Sequence, residues 1–357
     1  MTSIVASRAL VGDELLGPSV IEIDGDRIGA VHAYRGTAQY AFVVPGYVDL
    51  QVNGIGDVDV ASADRRDWDV LDERLVARGV TTWCPTLVSA PLDTYDRPLA
   101  AIAEAGARSG ARPHIAGAHL EGPFLGAARG AHDRTALVPV NARWLAELPS
   151  VVAIVTLAPE LDGALDAIAA LARRGTLVAL GHTTATPSQI ADAVGAGARL
   201  VTHLFNAMSG LHHRQPGVVG AAIAEDRLAC SMIADGVHVD PIVLKIAANA
   251  LGEDRCVLVS DEVAYYGKTD RDAARLSDGT LTGAVVGIDA GVRTLVHRSG
   301  LSLPRALRAA STNPARLLGL SDRGTIAAGR RADLVALDAD LHVQAVWIGG
   351  QIVRGTG

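Results

Sequence analysis

Several things are scarce in this chain of 357 residues, and each scarcity excludes something. Cysteines number three, Cys84, Cys230 and Cys256, each inside an apolar run. An odd count placed that way excludes a disulfide framework and reads as small buried hydrophobes in a reducing compartment. No stretch approaches the ~18–20 apolar residues that a membrane span needs. The first residues lack a basic region followed by an apolar stretch and a cleavage site, so no signal peptide is expected and the protein is expected in the cytoplasm. There is no basic stripe. The net charge is −7 and the pI about 5.9, which offers no electrostatic footprint for nucleic acid. An anionic ligand must therefore be held by a few particular side chains. Short internal repeats, low-complexity tracts and long charge runs are absent as well.

What is present is a large apolar fraction. Hydrophobic residues make up 49% and charged residues 20% of the chain, which suits a soluble globular protein with a sizeable core. Single domains seldom grow past ~250–300 residues, so one large domain with a small one is the natural division. Both chain ends carry short apolar stretches separated by turns. Ser19-Val20-Ile21-Glu22-Ile23 runs into Asp24-Gly25-Asp26, and Val343–Ile348 runs into a Gly-Gly turn before Gln351-Ile352-Val353. This is antiparallel-strand patterning. It predicts a small β-sandwich domain assembled from residues 1–44 and 323–357.

Between the ends, strand-like runs alternate with helical ones. The runs are 47–52, 81–88, 115–120, 151–157, 176–180, 199–204, 229–233 and 256–260. Near-continuous apolar strands separated by helices indicate a parallel sheet buried on both faces. Eight such units over residues 45–322 predict an α/β fold of the (β/α)8 TIM-like barrel type, whose chemistry sits at the C-terminal strand ends.

Four of those runs end in chemically capable residues. Ile115–Leu120 leads to Glu121-Gly122-Pro123-Phe124, Leu177–Leu180 to Gly181-His182-Thr183, Leu200–Thr202 to His203-Leu204-Phe205-Asn206, and Val257–Ser260 to Asp261. Each histidine alone would read as a hydrogen-bonded core residue. Two imidazoles and one carboxylate at matching strand ends instead read as a catalytic metal site, because three protein ligands leave a position open on Zn²⁺. Such a cation lowers the pKa of water to ~7 and polarises a carbonyl. Asp261 is placed to take the water's proton and deliver it to a leaving group.

These blocks, with Pro45–Gly54, Leu211–Gly217, Asp235–Asp240 and the ending Gly329-Arg330-Arg331-Ala332-Asp333-Leu334, resemble the amidohydrolase superfamily and, within it, the N-acetylglucosamine-6-phosphate deacetylases. The similarity spans essentially the whole chain. It implies that Glu121, His182 and His203 hold one divalent ion per subunit, Zn first and Fe, Mn or Co as alternatives. It also implies Asp261 as the catalytic acid/base and His132 as a second catalytic group, touching the substrate near the amide carbonyl. Asn206, Ala207, Arg214 and His238 would grip a sugar phosphate, Arg214 reaching the neighbouring site of a homodimer. The reaction implied is removal of the acetyl group from N-acetylglucosamine-6-phosphate. N-acetylgalactosamine-6-phosphate, an unphosphorylated N-acetyl substrate, or binding without turnover are the alternatives.

Two departures stand out. Members with a second metal carry His-x-His on the first strand, where this chain has Gln51 and Asn53, so a single metal is expected. After Asp261, where small residues are usual, it has Glu262, Tyr265 and Tyr266 and reaches Asp278–Gly283 early. Side chains of that size are expected either to fill part of the pocket, where they would discriminate between sugars, or to turn away onto the barrel exterior and leave the site unchanged.

Overall fold

The computed structural model describes residues 2–265 and 273–355. Eight parallel strands form its centre: β1 (Tyr47–Gly56), β2 (Val80–Val88), β3 (Ala118–Glu121), β4 (Val152–Leu157), β5 (Leu177–Leu180), β6 (Leu200–Val201), β7 (Ala229–Ile233) and β8 (Cys256–Val259). Each is hydrogen-bonded to the next in that order. The curl is completed where the chain leaves β8. The Asp261 N–H donates to the Gln51 carbonyl at 3.0 Å, and the short strand Glu262–Ala264 pairs with β1 through Glu262 and Val52. First and last strands are thus brought together in a barrel-like sheet, as the eight apolar runs predict.

The strands are largely apolar because both faces are covered. Val48, Leu50, Cys84, Ile154, Ala179, Leu200, Val257 and Val259 fill the interior. A second, larger cluster packs the outer strand faces against the helices, with Trp83 of β2 at 6.1 Å from Trp68 of helix Arg65–Ala77. Local signals start those helices. Asp64 and Asp67 make a capping box on Arg65–Ala77, Thr186 and Gln189 another on Pro187–Ala196, and Asp240 caps Pro241–Leu251. Each supplies a side-chain acceptor to backbone N–H groups that the first turn leaves unpaired.

Both termini share one eight-stranded sheet. Strands Gln351–Arg354, Val343–Ile348, Leu334–Leu337, Tyr40–Pro45, Thr2–Val11, Ser19–Asp24 and Arg27–Ala33 follow in that order, and Glu14–Leu16 pairs with Thr2–Val11. The turn between Ile348 and Gln351 is Gly349-Gly350, with φ of 54° and 74°. Two successive positive φ values make the tight hairpin that glycine alone adopts without strain. Ile4, Ile21, Ile28, Val43, Leu334 and Trp347 form this sheet's own core. Among the described residues, no helix is long and apolar enough to cross a membrane.

Ile154 is wholly buried in the barrel interior, so Ile154→Ala should lower unfolding stability by about 2–5 kcal/mol through lost burial and a residual cavity. Chemical denaturation reads this directly. A loss below about 1 kcal/mol would mean that the interior is not packed around this side chain.

Candidate metal centre and active site

The C-terminal strand ends deliver the predicted groups to one cavity of about 540 Å³, lined among others by Asn53, Ser89, Glu121, His132, His182, His203, Asn206, Ala207, His238 and Asp261. Glu121 ends β3. His182 follows β5 through Gly181, where an added Cβ would lie 2.8 Å from Thr156 Cγ2. A side chain at 181 would therefore push the neighbouring strands apart. His203 and Asp261 lie two residues beyond β6 and β8.

The backbone at these points is unusual. His182, His203 and Asp261 have φ of 50°, 33° and 50°, and Phe205 and Ala207 follow at 81° and 49°. Non-glycine residues rarely adopt positive φ, and such conformations cluster at functional sites. Each one turns its strand end so that the side chain faces the cavity.

Glu121 Oε1 lies 2.9 Å from His203 Nε2 and 3.1 Å from His182 Nε2, and the two Nε2 atoms are 3.1 Å apart. All three residues are buried. Ligands at ~2.0–2.2 Å around a tetrahedral ion stand about 3.3–3.6 Å from one another, so a few tenths of an ångström of outward movement would seat one. The donor set fits a divalent cation. Glu121, His132 and His182 also bring donor atoms within 4.8 Å of one another. That set is looser, because His132 Nε2 is 3.8 Å from Glu121 Oε2. The tighter set is the better cation cradle.

Electrostatics separate the carboxylates. Burial alone would raise the Glu121 carboxyl, but the hydrogen bonds and charge of His182 and His203 hold it well below the usual range. Burial likewise opposes protonation of His203, and the Glu121 contact outweighs it to raise that imidazole. A cation there takes the place of those protons, so its binding weakens as pH falls. Asp261 is pushed up to about 8, first by burial and then by the charge of Glu121.

Gln51 and Asn53, both of β1, bind the two carboxyls. Gln51 Nε2 donates to Glu121 Oε1 at 2.9 Å and Asp261 Oδ1 at 3.0 Å, and Asn53 Nδ2 donates to Asp261 Oδ1 at 2.8 Å. The two amides form a fork that orients the Asp261 carboxyl. Beneath this layer His119 bonds the Leu50 carbonyl through Nδ1 at 3.0 Å and Thr156 Oγ1 through Nε2 at 2.7 Å. Thr156 meets Thr202 at 2.7 Å. The floor under Glu121 is thus polar and satisfied.

His132 is pushed down to about 4, chiefly by burial, so it is neutral near pH 7. The backbone N–H of Ser89 reaches its Nδ1 at 3.3 Å, with Ser89 Oγ at 2.8 Å. A backbone N–H can only donate, so Nδ1 accepts and Nε2 carries the hydrogen. His238 is fixed similarly. Its Nδ1 meets Asp235 Oδ2 at 2.6 Å, while Asp235 Oδ1 accepts the Val237 and His238 N–H groups at 2.8 Å. Burial would raise Asp235, yet His238 holds it below the usual carboxylate range. Ser89 and Asp235 are positioning groups that sequence reading missed. The Asp235-Gly236-Val237-His238 spacing was a visible signal for one, and nothing marked Ser89.

The structure does not bring every candidate together. Arg214 lies exposed on the turn bridged by His212 and Gln215, outside the cavity wall. Asn206 lines the cavity, but its Nδ2 donates to the His203 carbonyl at 3.3 Å. Tyr265 takes the second of its two expected placements, outside the pocket wall. It is half-buried and absent from the wall, where Val263, Leu281 and Thr282 stand instead. Along the strand Glu262–Ala264, Val263 lines the cavity while Glu262 turns toward Arg78, and Tyr265 lies beyond the strand's end. Tyr266 lies outside the described residues.

The amidohydrolase family model matches residues 42–353. The N-acetylgalactosamine-6-phosphate deacetylase of Escherichia coli O157:H7 is 37% identical over 330 residues, covering 86% of each chain. The human N-acetylglucosamine-6-phosphate deacetylase is 39% identical over 347 residues, covering 87% of this chain and 83% of that one. Among solved structures, a mutant N-acetyl-D-glucosamine-6-phosphate deacetylase from Mycobacterium smegmatis, in complex with N-acetyl-D-glucosamine-6-phosphate, superimposes with a TM-score of 0.92 at 35% identity over 99% of both chains. The Thermotoga maritima N-acetylglucosamine-6-phosphate deacetylase gives 0.93 at 28% identity, over 99% of this chain and 100% of that one.

Three converging donors predict about one divalent ion per chain. Elemental analysis after reconstitution should find that His182→Ala and His203→Ala lose it while His132→Ala keeps it. Metal loss in His132→Ala with retention in His203→Ala would assign the ligands to the looser set.

Proposed function

The chain belongs to the amidohydrolase family, and from that premise we propose that it hydrolyses the acetamide of N-acetylglucosamine-6-phosphate to glucosamine-6-phosphate and acetate. The observation that carries the reading is the cavity in which Glu121, His182 and His203 converge opposite Asp261. N-acetylgalactosamine-6-phosphate is the second reading, favoured by the similarity to the E. coli deacetylase of that sugar.

In this reading Glu121, His182 and His203 hold one divalent ion, Zn²⁺ being expected from the N/O donor set. When bound, the ion supplies an activated water and polarises the amide carbonyl. His132 offers its Nε2–H to the carbonyl oxygen and stays neutral throughout, since only a neutral ring both accepts from Ser89 and donates to substrate. Asp261 takes the proton as water oxygen bonds to the carbonyl carbon. Its Oδ1 stays in the Gln51–Asn53 fork, so the proton goes to Oδ2. Asp261 then passes the proton to the amide nitrogen as the C–N bond breaks, and the amine and acetate leave. Burial raises the Asp261 carboxyl above an exposed carboxylate, the direction that suits a group which first takes up a proton and then gives it away.

The 6-phosphate needs cations. Among the described residues of the cavity wall there is no Lys or Arg, while Asp59, Glu121, Asp133 and Asp261 are all present. His238, held by Asp235, is one candidate for the phosphate, with Asn206 and the backbone of Ala207 beside it. Arg214 is the other, contributed by the partner of a homodimer. Its exposure beside Leu211, 60% exposed on the same turn, supports an intersubunit role. We take residues 45–322 as the catalytic domain and residues 1–44 with 323–357 as the small β domain. Three free, buried cysteines suit a cytoplasmic setting.

Acetate release from a panel of phosphorylated and unphosphorylated N-acetyl sugars tests the substrate. N-acetylglucosamine-6-phosphate should be preferred, and equal kinetics with and without the phosphate would remove the sugar phosphate from the reading. Asp261→Asn should retain metal and lose turnover by roughly 10²–10⁴, as for a general acid/base. Near wild-type turnover would reassign the proton transfer. Arg214→Ala should raise KM for the phosphorylated sugar about ten- to a hundredfold, the loss of a charge-assisted contact worth roughly 1.5–3 kcal/mol. Unchanged KM would detach Arg214 from the phosphate.

A further inference from the structure

Glu262 is a buried acid that neither the metal centre nor the cavity uses. It directly follows Asp261, is 1% exposed, and is absent from the cavity wall. Its Oε1 accepts from Arg78 Nη2, and Arg78 is the residue that ends helix Arg65–Ala77. The stem of Arg78 lies against Gly287, where an added Cβ would come within 2.1 Å of Arg78 Cδ. Asp49 and Asp289 are the other charged groups felt by Glu262 apart from Arg74, and both are acidic. Without Arg78, Glu262 would be a carboxylate buried among carboxylates, which is unfavourable unless it takes up a proton or moves.

The pair sits at a mechanically sensitive point. Asp261 has φ of 50°, a conformation its backbone would not hold unaided. On the near side the Ser260 N–H is tied to Asp49 Oδ1 and Oδ2 at 3.2 and 3.3 Å. Asp261 itself bonds the Gln51 carbonyl through its N–H and the Ala284 N–H through its carbonyl, both at 3.0 Å. On the far side Glu262 pairs with Val52 and Ala284, and its side chain is anchored to Arg78. A slip of this strand end would carry Asp261 Oδ1 out of the fork made by Gln51 and Asn53.

We propose that Arg78 and Glu262 are positioning residues, a buried ion pair that holds the turn after β8 so that Asp261 faces the reacting amide. The inference rests on Asp261 being the acid/base of the reaction proposed above. It makes the pair matter for turnover and not for substrate binding or metal retention, since the ligands and sugar contacts come from other strands.

The test uses Arg78→Met, Glu262→Ala and the double variant Arg78→Met/Glu262→Ala in the metal-reconstituted full-length protein, with Asp261→Asn alongside. Each single variant should lose about ten- to a hundredfold in kcat, the scale of a misplaced catalytic group, with KM and metal content near wild type. The double variant should lose no more than either single one, because both break the same contact. It also leaves no unpaired buried ion, so it remains informative if a single variant folds poorly. Arg78→Lys should recover part of the turnover. Wild-type kcat in the folded variants, or losses that simply multiply, would overturn the proposal and leave the pair a structural buttress. If Asp261→Asn itself turns over normally, the acid/base reading fails instead, which separates the two.

Discussion

The interaction on which the rest depends is the contact of one buried carboxylate oxygen, Glu121 Oε1, with the imidazoles of His182 and His203. Three polar groups from three strands face one point at the top of an otherwise aliphatic barrel. Bringing them there requires positive φ at both histidines and at Asp261, at about 1–3 kcal/mol each. Together that is comparable to the 5–15 kcal/mol by which whole domains are stable. Such strain persists only on a rigid support, and the structure supplies one. The barrel interior is packed with Val, Leu and Ile, and the polar layer of Leu50, His119, Thr156 and Thr202 beneath Glu121 is hydrogen-bonded throughout. A bound cation adds to this, since whatever binds only the folded state stabilises it.

The same crowding of charge divides the labour between two carboxyls. Glu121 has two imidazoles on one oxygen and is held low, which suits a ligand. Asp261 is pushed up, first by burial and then by the charge of Glu121, against the opposing pull of His203 and the Asn53 amide. Pairs of groups whose surroundings drive their protonation apart are how one site contains both a fixed anion and a proton carrier. Gln51 links the two by donating to both. Gln51 and Asn53 thus fix the orientation of the Asp261 carboxyl.

Much of this was legible in the sequence. Eight apolar runs separated by helices mark the strands, and the placement of Glu121, His182, His203 and Asp261 just past four of them marks the site, because period and position are properties of the chain itself. The one-residue geometry at those ends was not legible. Positive φ at a histidine has no sequence signature, since it is imposed by the packing of neighbouring strands. For the same reason the tautomer of His132, fixed by a backbone N–H 43 residues away at Ser89, cannot be read from composition. Size alone left open whether the residues after Asp261 would wall the pocket; Val263 stands on the wall, Glu262 turns toward Arg78, and Tyr265 lies outside the wall. Gln51 and Asn53 were recognised only as missing histidines. What they do instead depends on Asp261, more than 200 residues away.

Electrostatics also constrain how an anionic sugar phosphate could use this cavity. The chain carries a net charge of −7, and four carboxylates line the described wall without a Lys or Arg to oppose them. Two unit charges 4 Å apart interact by about 1 kcal/mol in water and about 4 kcal/mol near a protein surface, so a dianion entering alone would be repelled appreciably. A cation held by Glu121, His182 and His203 would offset part of this close to those residues. It would do little for a phosphate bound away from that point, for which His238 is a further basic side chain on the wall. His238 is itself committed to Asp235, whose charge cancels much of what a protonated imidazole would offer. A phosphate site built from one chain is therefore short of positive charge. Arg214, exposed on its turn and outside its own cavity wall, would supply what is lacking if a second copy set it against that cavity.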